Sequence, residues 1–110
     1  VSLGSHDDLA WGRDGQDTLR GGEDGDNLQG GAGGDLIEGE GGSDGWLAGD
    51  SGTDTIRGGA GDDAIGDGKA TDTVRGQDGF NTLVHCHDGS GDDIQGIQNH
   101  IHVSPGEANC

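Results

Sequence analysis

The sequence predicts an all-β fold, a parallel β-solenoid of about nine nonapeptide repeats, and three observations carry that expectation. Large apolar residues recur singly at intervals of nine, an acid stands two residues before nearly every one, and glycine fills much of the remainder. A short strand with one inward side chain, followed by a glycine-rich turn, is the unit this pattern describes.

Bulk composition shows why so sparse a pattern needs help to fold. The 110 residues carry 22 Asp and Glu against 5 Lys and Arg, a net charge of −17, with 26% hydrophobic residues and 27 glycines. Low hydrophobicity with high net charge marks a chain that cannot offset its own ordering entropy. Glycine enlarges that entropy. Disorder is therefore expected in plain water unless a cationic partner supplies the missing free energy. The same charge argues against nucleic-acid and anionic-membrane partners, and no stretch is apolar enough to insert into a bilayer. The chain opens on Val1 without a visible signal peptide, which reads as a processed or excised segment.

The repeats run LGSHDDLAW (3–11), GRDGQDTLR (12–20), GGEDGDNLQ (21–29), GGAGGDLIE (30–38) and GEGGSDGWL (39–47). After one extra residue, placed at Ala48, they continue as GDSGTDTIR (49–57), GGAGDDAIG (58–66), DGKATDTVR (67–75) and GQDGFNTLV (76–84). The sixth position holds Asp8, Asp17, Asp26, Asp35, Asp44, Asp54, Asp63, Asp72 and Asn81. The eighth holds Ala10, Leu19, Leu28, Ile37, Trp46, Ile56, Ile65, Val74 and Leu83. Composition alone does not keep acids and apolar residues locked two apart through so many copies.

Nine residues give one strand and one turn, so eighteen give a full coil. Alternate repeats then build two sheets packed face to face. The expected core is Leu19, Ile37, Ile56 and Val74 in one file, opposite Ala10, Leu28, Trp46, Ile65 and Leu83. The consensus G-G-x-G-x-D-x-U-x, with U a large apolar residue, resembles the calcium-binding nonapeptide of the RTX family across residues 3–84. That resemblance implies a parallel β-roll whose six-residue turns hold calcium and whose last three residues form a strand.

Chemistry points the same way. Turns on one side of the roll lie two repeats apart in sequence and one strand spacing apart in space, about 4.8 Å. Carboxylates stacked so closely repel one another, yet a cation midway between them lies about 2.4 Å from each, within the calcium–oxygen range. Asp17, Asp35, Asp54 and Asp72 form one file; Asp8, Asp26, Asp44, Asp63 and Asn81 form the other, with Asp24 as an additional turn acid. Calcium wants six to eight oxygens, so backbone carbonyls complete each shell. Gly12, Gly15, Gly21, Gly30, Gly33, Gly39, Gly42, Gly49, Gly52, Gly58 and Gly61 are the turn glycines expected to supply carbonyls or allow the required close approach and positive φ. One ion per stacked pair of turns gives roughly five to seven calcium ions. Magnesium demands a tighter octahedron, and zinc prefers nitrogen and sulfur ligands.

After Val84 the register slips, and DGSGDD (88–93) resembles one more turn. Residues 1–84 thus read as the roll and 85–110 as a segment closing one end, with a disulfide expected between Cys86 and Cys110. Two H-x-H pairs, His85/His87 and His100/His102, are candidate zinc or copper ligands, against a plain reading as polar faces of closing strands. No recognisable catalytic arrangement occurs, so the chain is not expected to be an enzyme. The function expected is a secreted or cell-surface calcium-binding module that folds on binding its ions. The alternative is a subunit of a calcium-dependent fibre or lattice built by head-to-tail self-association.

Overall fold

In a computed structural model, described over residues 2–5, 8–86 and 93–103, the chain forms two six-stranded parallel sheets and no helix among the described residues. Strands are numbered in chain order. The first sheet contains, edge to edge, β1 (Ser2–Ser5), β3 (Thr18–Glu23), β5 (Leu36–Glu40), β7 (Thr55–Gly59), β9 (Thr73–Gln77) and β11 (Asp93–Gln95). The second contains β2 (Leu9–Asp14), β4 (Asn27–Ala32), β6 (Trp46–Ser51), β8 (Ala64–Gly66), β10 (Thr82–Cys86) and β12 (Asn99–Val103). Odd strands make one sheet and even strands the other, as the eighteen-residue coil requires. The fold is a parallel β-solenoid.

The core lies between the sheets. Leu19, Ile37, Ile56 and Val74 are register partners in succession along the first sheet, and all are buried. Along the second sheet the succession is Ala10, Leu28, Leu47, Ile65 and Leu83. The expected Trp46 is therefore corrected to Leu47, which is 0% exposed. The extra residue is not Ala48. The N–H groups of Gly45 and Trp46 both donate to Asp26 O, at 2.9 and 3.4 Å, so two residues of this coil stand where its neighbour has one. Such a bulge re-aims every side chain after it by one position. It moves Leu47 inward and turns Trp46 outward, where its ring lies over Gly66.

Beyond Val84 the coils continue. β11 pairs with β9 and brings Ile94 into register with Val74; β12 pairs with β10. Ile94 and Ile97 pack against the core cluster. Asp93 does not take the sixth position that the DGSGDD reading gave it: it aligns with Thr73, the residue after the sixth-position acid, and the rest of that stretch lies outside the described residues. His85 and His102 are register partners; His87, Cys110 and the side chains of His85, His100, His102 and Cys86 fall outside the described residues, and with them the expected metal pair and disulfide.

The two outer faces differ. The first sheet carries a charge ladder: Arg20 and Arg57 both reach Glu38, at 3.1 and 3.6 Å, and Arg75 reaches Asp93 at 2.7 Å. These pairs are solvent-exposed and contribute at most about 1 kcal/mol each. At the corresponding seventh and ninth repeat positions of the second sheet, no residue among those described is charged.

Candidate metal centre

The six-residue turns connect the strands along both long sides of the roll, and each sixth-position Asp is held there by the coil next to it. Asp35 Oδ1 accepts the N–H of Asp17 at 2.8 Å, Asp54 Oδ1 that of Asp35 at 2.9 Å, and Asp72 Oδ1 that of Asp54 at 2.8 Å. On the other side Asp26, Asp44 and Asp63 accept in turn from Asp8, Asp26 and Asp44, at 2.9 to 3.0 Å. Each carboxylate is thus oriented by one oxygen, and the file of acids predicted from sequence is a physical ladder. Register carries it: the donor is always 18 or 19 residues back, one full coil.

The second oxygen is the informative one. Oδ2 of Asp17, Asp35, Asp44, Asp54 and Asp63 is buried without a hydrogen-bond partner among the described residues. A buried carboxylate oxygen left unpaired costs on the order of 1–3 kcal/mol or more, and repeating that cost along both files requires compensation by something with positive charge.

First-position glycine makes room for that oxygen. A Cβ on Gly12 would stand 2.6 Å from Asp17 Oδ2 and 2.7 Å from Gly30 O. Gly21, Gly30, Gly39, Gly49 and Gly58 stand in the same relation to Asp26, Asp35, Asp44, Asp54 and Asp63. These glycines are needed for close approach, whereas positive φ belongs to the second and fourth positions. The fourth includes Gly15, Gly33, Gly42, Gly52 and Gly61, with Asp24 taking φ 76 in the same role, its side chain exposed. At the second position Arg13, Glu40, Asp50 and Gln77 adopt φ between 67 and 80. In other repeats glycine fills that second position, as at Gly31 and Gly59 with φ 95 and 97, and the doubled glycine of the consensus is its sequence signal.

Asn81 departs from the series. Its Oδ1 accepts the Asp63 N–H at 3.0 Å, as an aspartate would, but its Nδ2 donates to Asp78 O and Gly96 O at 3.2 and 3.1 Å. One coil further, Gln98 Oε1 accepts the Asn81 N–H at 2.7 Å. The ladder ends on two amides that meet the backbone without leaving a carboxylate oxygen unpaired, which sets Asn81 apart from the aspartates of its file.

Electrostatics follow the geometry. Burial, followed among the raising influences by the neighbouring Asp63 and Asp26, pushes the Asp44 carboxyl up to about 7 despite the stabilising backbone hydrogen bond. Burial also pushes Asp54 up to about 7, with Asp35 and Asp50 adding to the effect. Asp35, Asp50 and Asp63 are raised as well, each chiefly by burial. A raised carboxyl binds its proton more tightly in the folded chain than in the unfolded one. The metal-free fold is therefore favoured at low pH and loses that contribution as pH rises from about 4 through about 7. Circular dichroism of metal-stripped protein is expected to gain β-sheet signal on going from about pH 8 to about pH 5.

The donor set fits a hard cation. No three His, Cys, Asp or Glu side chains converge among the described residues, so an ion in these turns takes carboxylates from neighbouring coils and fills its shell with backbone carbonyls. All-oxygen donors in a flexible, incompletely acidic cradle suit calcium. The orphaned Oδ2 atoms mark where the carboxylates would meet it. Residues 4–27, 21–45 and 48–83 match the family model described as RTX calcium-binding nonapeptide repeat (4 copies), together more than half of the chain. The matched segments break at 46–47, beside the bulge. No curated protein matches the chain at a significant level.

Proposed function

The chain belongs to the RTX calcium-binding nonapeptide repeat family, and from that premise we propose that it is a structural module of a secreted or cell-surface protein that folds on binding about five to seven calcium ions. The unpaired, buried Oδ2 atoms carry this reading. Without metal they oppose folding, by desolvation and mutual repulsion. With metal they become its ligands. Binding free energy is then folding free energy, because no site exists in the unfolded chain. The proposed ligands are Asp8, Asp17, Asp26, Asp35, Asp44, Asp54, Asp63 and Asp72, with turn carbonyls.

A calcium-poor interior and a calcium-rich exterior would keep such a chain extended before export and fold it afterwards. A structural role is supported by the carboxylates of Asp26, Asp35, Asp44, Asp54, Asp63 and Asp72, each tied through Oδ1 to a neighbouring backbone N–H that holds the group in place. Circular dichroism during a calcium titration tests the proposal. A cooperative coil-to-β transition is expected at neutral pH; a chain already folded in chelator would refute coupling between binding and folding.

The sheet edges favour a second reading. β2 and β12 in one sheet, and β1 and β11 in the other, each pair with a strand on one side only among the described residues. Unpaired parallel edges at both ends are a template for end-to-end stacking, which would be heterologous and open-ended. Electron microscopy with calcium and with chelator distinguishes the two, since fibres are expected only under this second reading.

A further inference from the structure

Two of the described large hydrophobic residues that face water most openly, Leu9 and Trp11, stand together on the outer face of the second sheet. In a protein of net charge −17 this face is exceptional: at the seventh and ninth repeat positions every described side chain is uncharged, while Arg13 and Asp50 stand further along β2 and β6, where the strands run into the turns. Its polar members, among them Asn27, Gln29 and Asn99, carry neutral amides. Trp46 completes the surface and is held by its fit over Gly66, where a Cβ would stand 2.6 Å from the ring.

We propose that this strip is a docking surface for a neutral, extended polysaccharide chain lying along the roll axis. Shape selects the partner. From one outward position to the next is about 7 Å along a strand, and six strands span about 24 Å, so the strip is long and narrow. It falls far short of the roughly 800 Å² per partner that a stable protein interface needs, which disfavours a second copy of the chain. Gly66, under the Trp46 ring, is aligned through Ala48 and Gln29 with Trp11, so the two rings mark one file along the axis, about three strand spacings or about 14 Å long, which an extended glycan can follow. Aromatic rings offer flat apolar faces to sugar C–H groups, and the amides between them offer both donors and acceptors to hydroxyls. Charge selects the partner too. The acidic turns on either side repel polyanions and leave the uncharged strip to a neutral ligand.

The test is affinity electrophoresis of the calcium-loaded protein in gels containing hydroxyethylcellulose, dextran or alginate, followed by calorimetry with cellohexaose. Retardation is expected in at least one neutral gel and not in alginate. Trp11→Ala is expected to weaken binding about tenfold, and Asn27→Ala with Gln29→Ala to weaken it further, while Arg57→Ala on the opposite sheet leaves it unchanged. Retardation by alginate alone, by no gel, or undiminished in the Trp11 variant overturns the proposal. So does a dimer in size-exclusion chromatography that Trp11→Ala dissolves. The calcium-induced β spectrum of the same samples is read alongside, so a negative result is separable from failure of calcium-dependent folding.

Discussion

Asp54→Ala is expected to leave the chain unfolded at calcium concentrations that fold the parent, whereas Asp54→Asn is expected to fold while binding fewer ions. The two substitutions separate the two oxygens of one side chain. Asp54 is fully buried, and its Oδ1 accepts the Asp35 N–H at 2.9 Å. Alanine removes that acceptor, leaving a buried N–H unpaired at a cost of about 1–3 kcal/mol, and removes an ion ligand from the middle of its file. Asparagine keeps the acceptor and exchanges the unpaired Oδ2 for an amide, the arrangement the molecule already uses at Asn81. Calorimetry is expected to show about one or two fewer calcium ions for Asp54→Asn, since each carboxylate lies between two neighbouring turns. The metal-free Asn variant is also expected to be less sensitive to pH, because one carboxyl raised to about 7 has been removed. Equal stoichiometry in parent and Asn variant would exclude Asp54 as a ligand.

Leu47→Ala is expected to destabilise the calcium-loaded roll by about 2–5 kcal/mol, and Trp46→Ala by clearly less. The core is a single file of residues per sheet, so no second layer closes over a cavity at Leu47. Trp46, despite its larger side chain, lies half-buried on the outer face, with its ring over Gly66. Denaturant unfolding in saturating calcium measures the difference. A larger loss for Trp46→Ala would place the extra residue back at Ala48 and return tryptophan to the core.

These two predictions mark the limits of what was legible in the residues. The sixth-position acids were readable because periodic carboxylates in a chain this poor in apolar residues have few structural uses. The core files were readable for the same reason, except at Trp46. There the sequence offered two adjacent large apolar residues, and periodicity alone does not say on which side of them an insertion lies. Pairing decided it, since Leu28 aligns with Leu47 and Leu47 with Ile65. Asp93 was read one position off for the same kind of reason, since it pairs with Thr73. Glycine was read correctly as a requirement of the turns but with its two uses merged. Close approach to a carboxylate and positive φ fall on different positions of the same repeat.

By itself the sequence determined the period, the division of strands between two sheets, the inward residue of nearly every strand and the all-oxygen character of the turns. Each is a local property, repeated until chance is excluded. Only the tertiary structure decided where the extra residue sits, which oxygen of Asp35, Asp44, Asp54 and Asp63 is tied and which is left unpaired, and where the ladder ends on amides. It also decided that one outer face is a charge ladder and the other neutral. These depend on contacts with a residue about eighteen positions away, and a solenoid makes such contacts only when one coil has settled on the next.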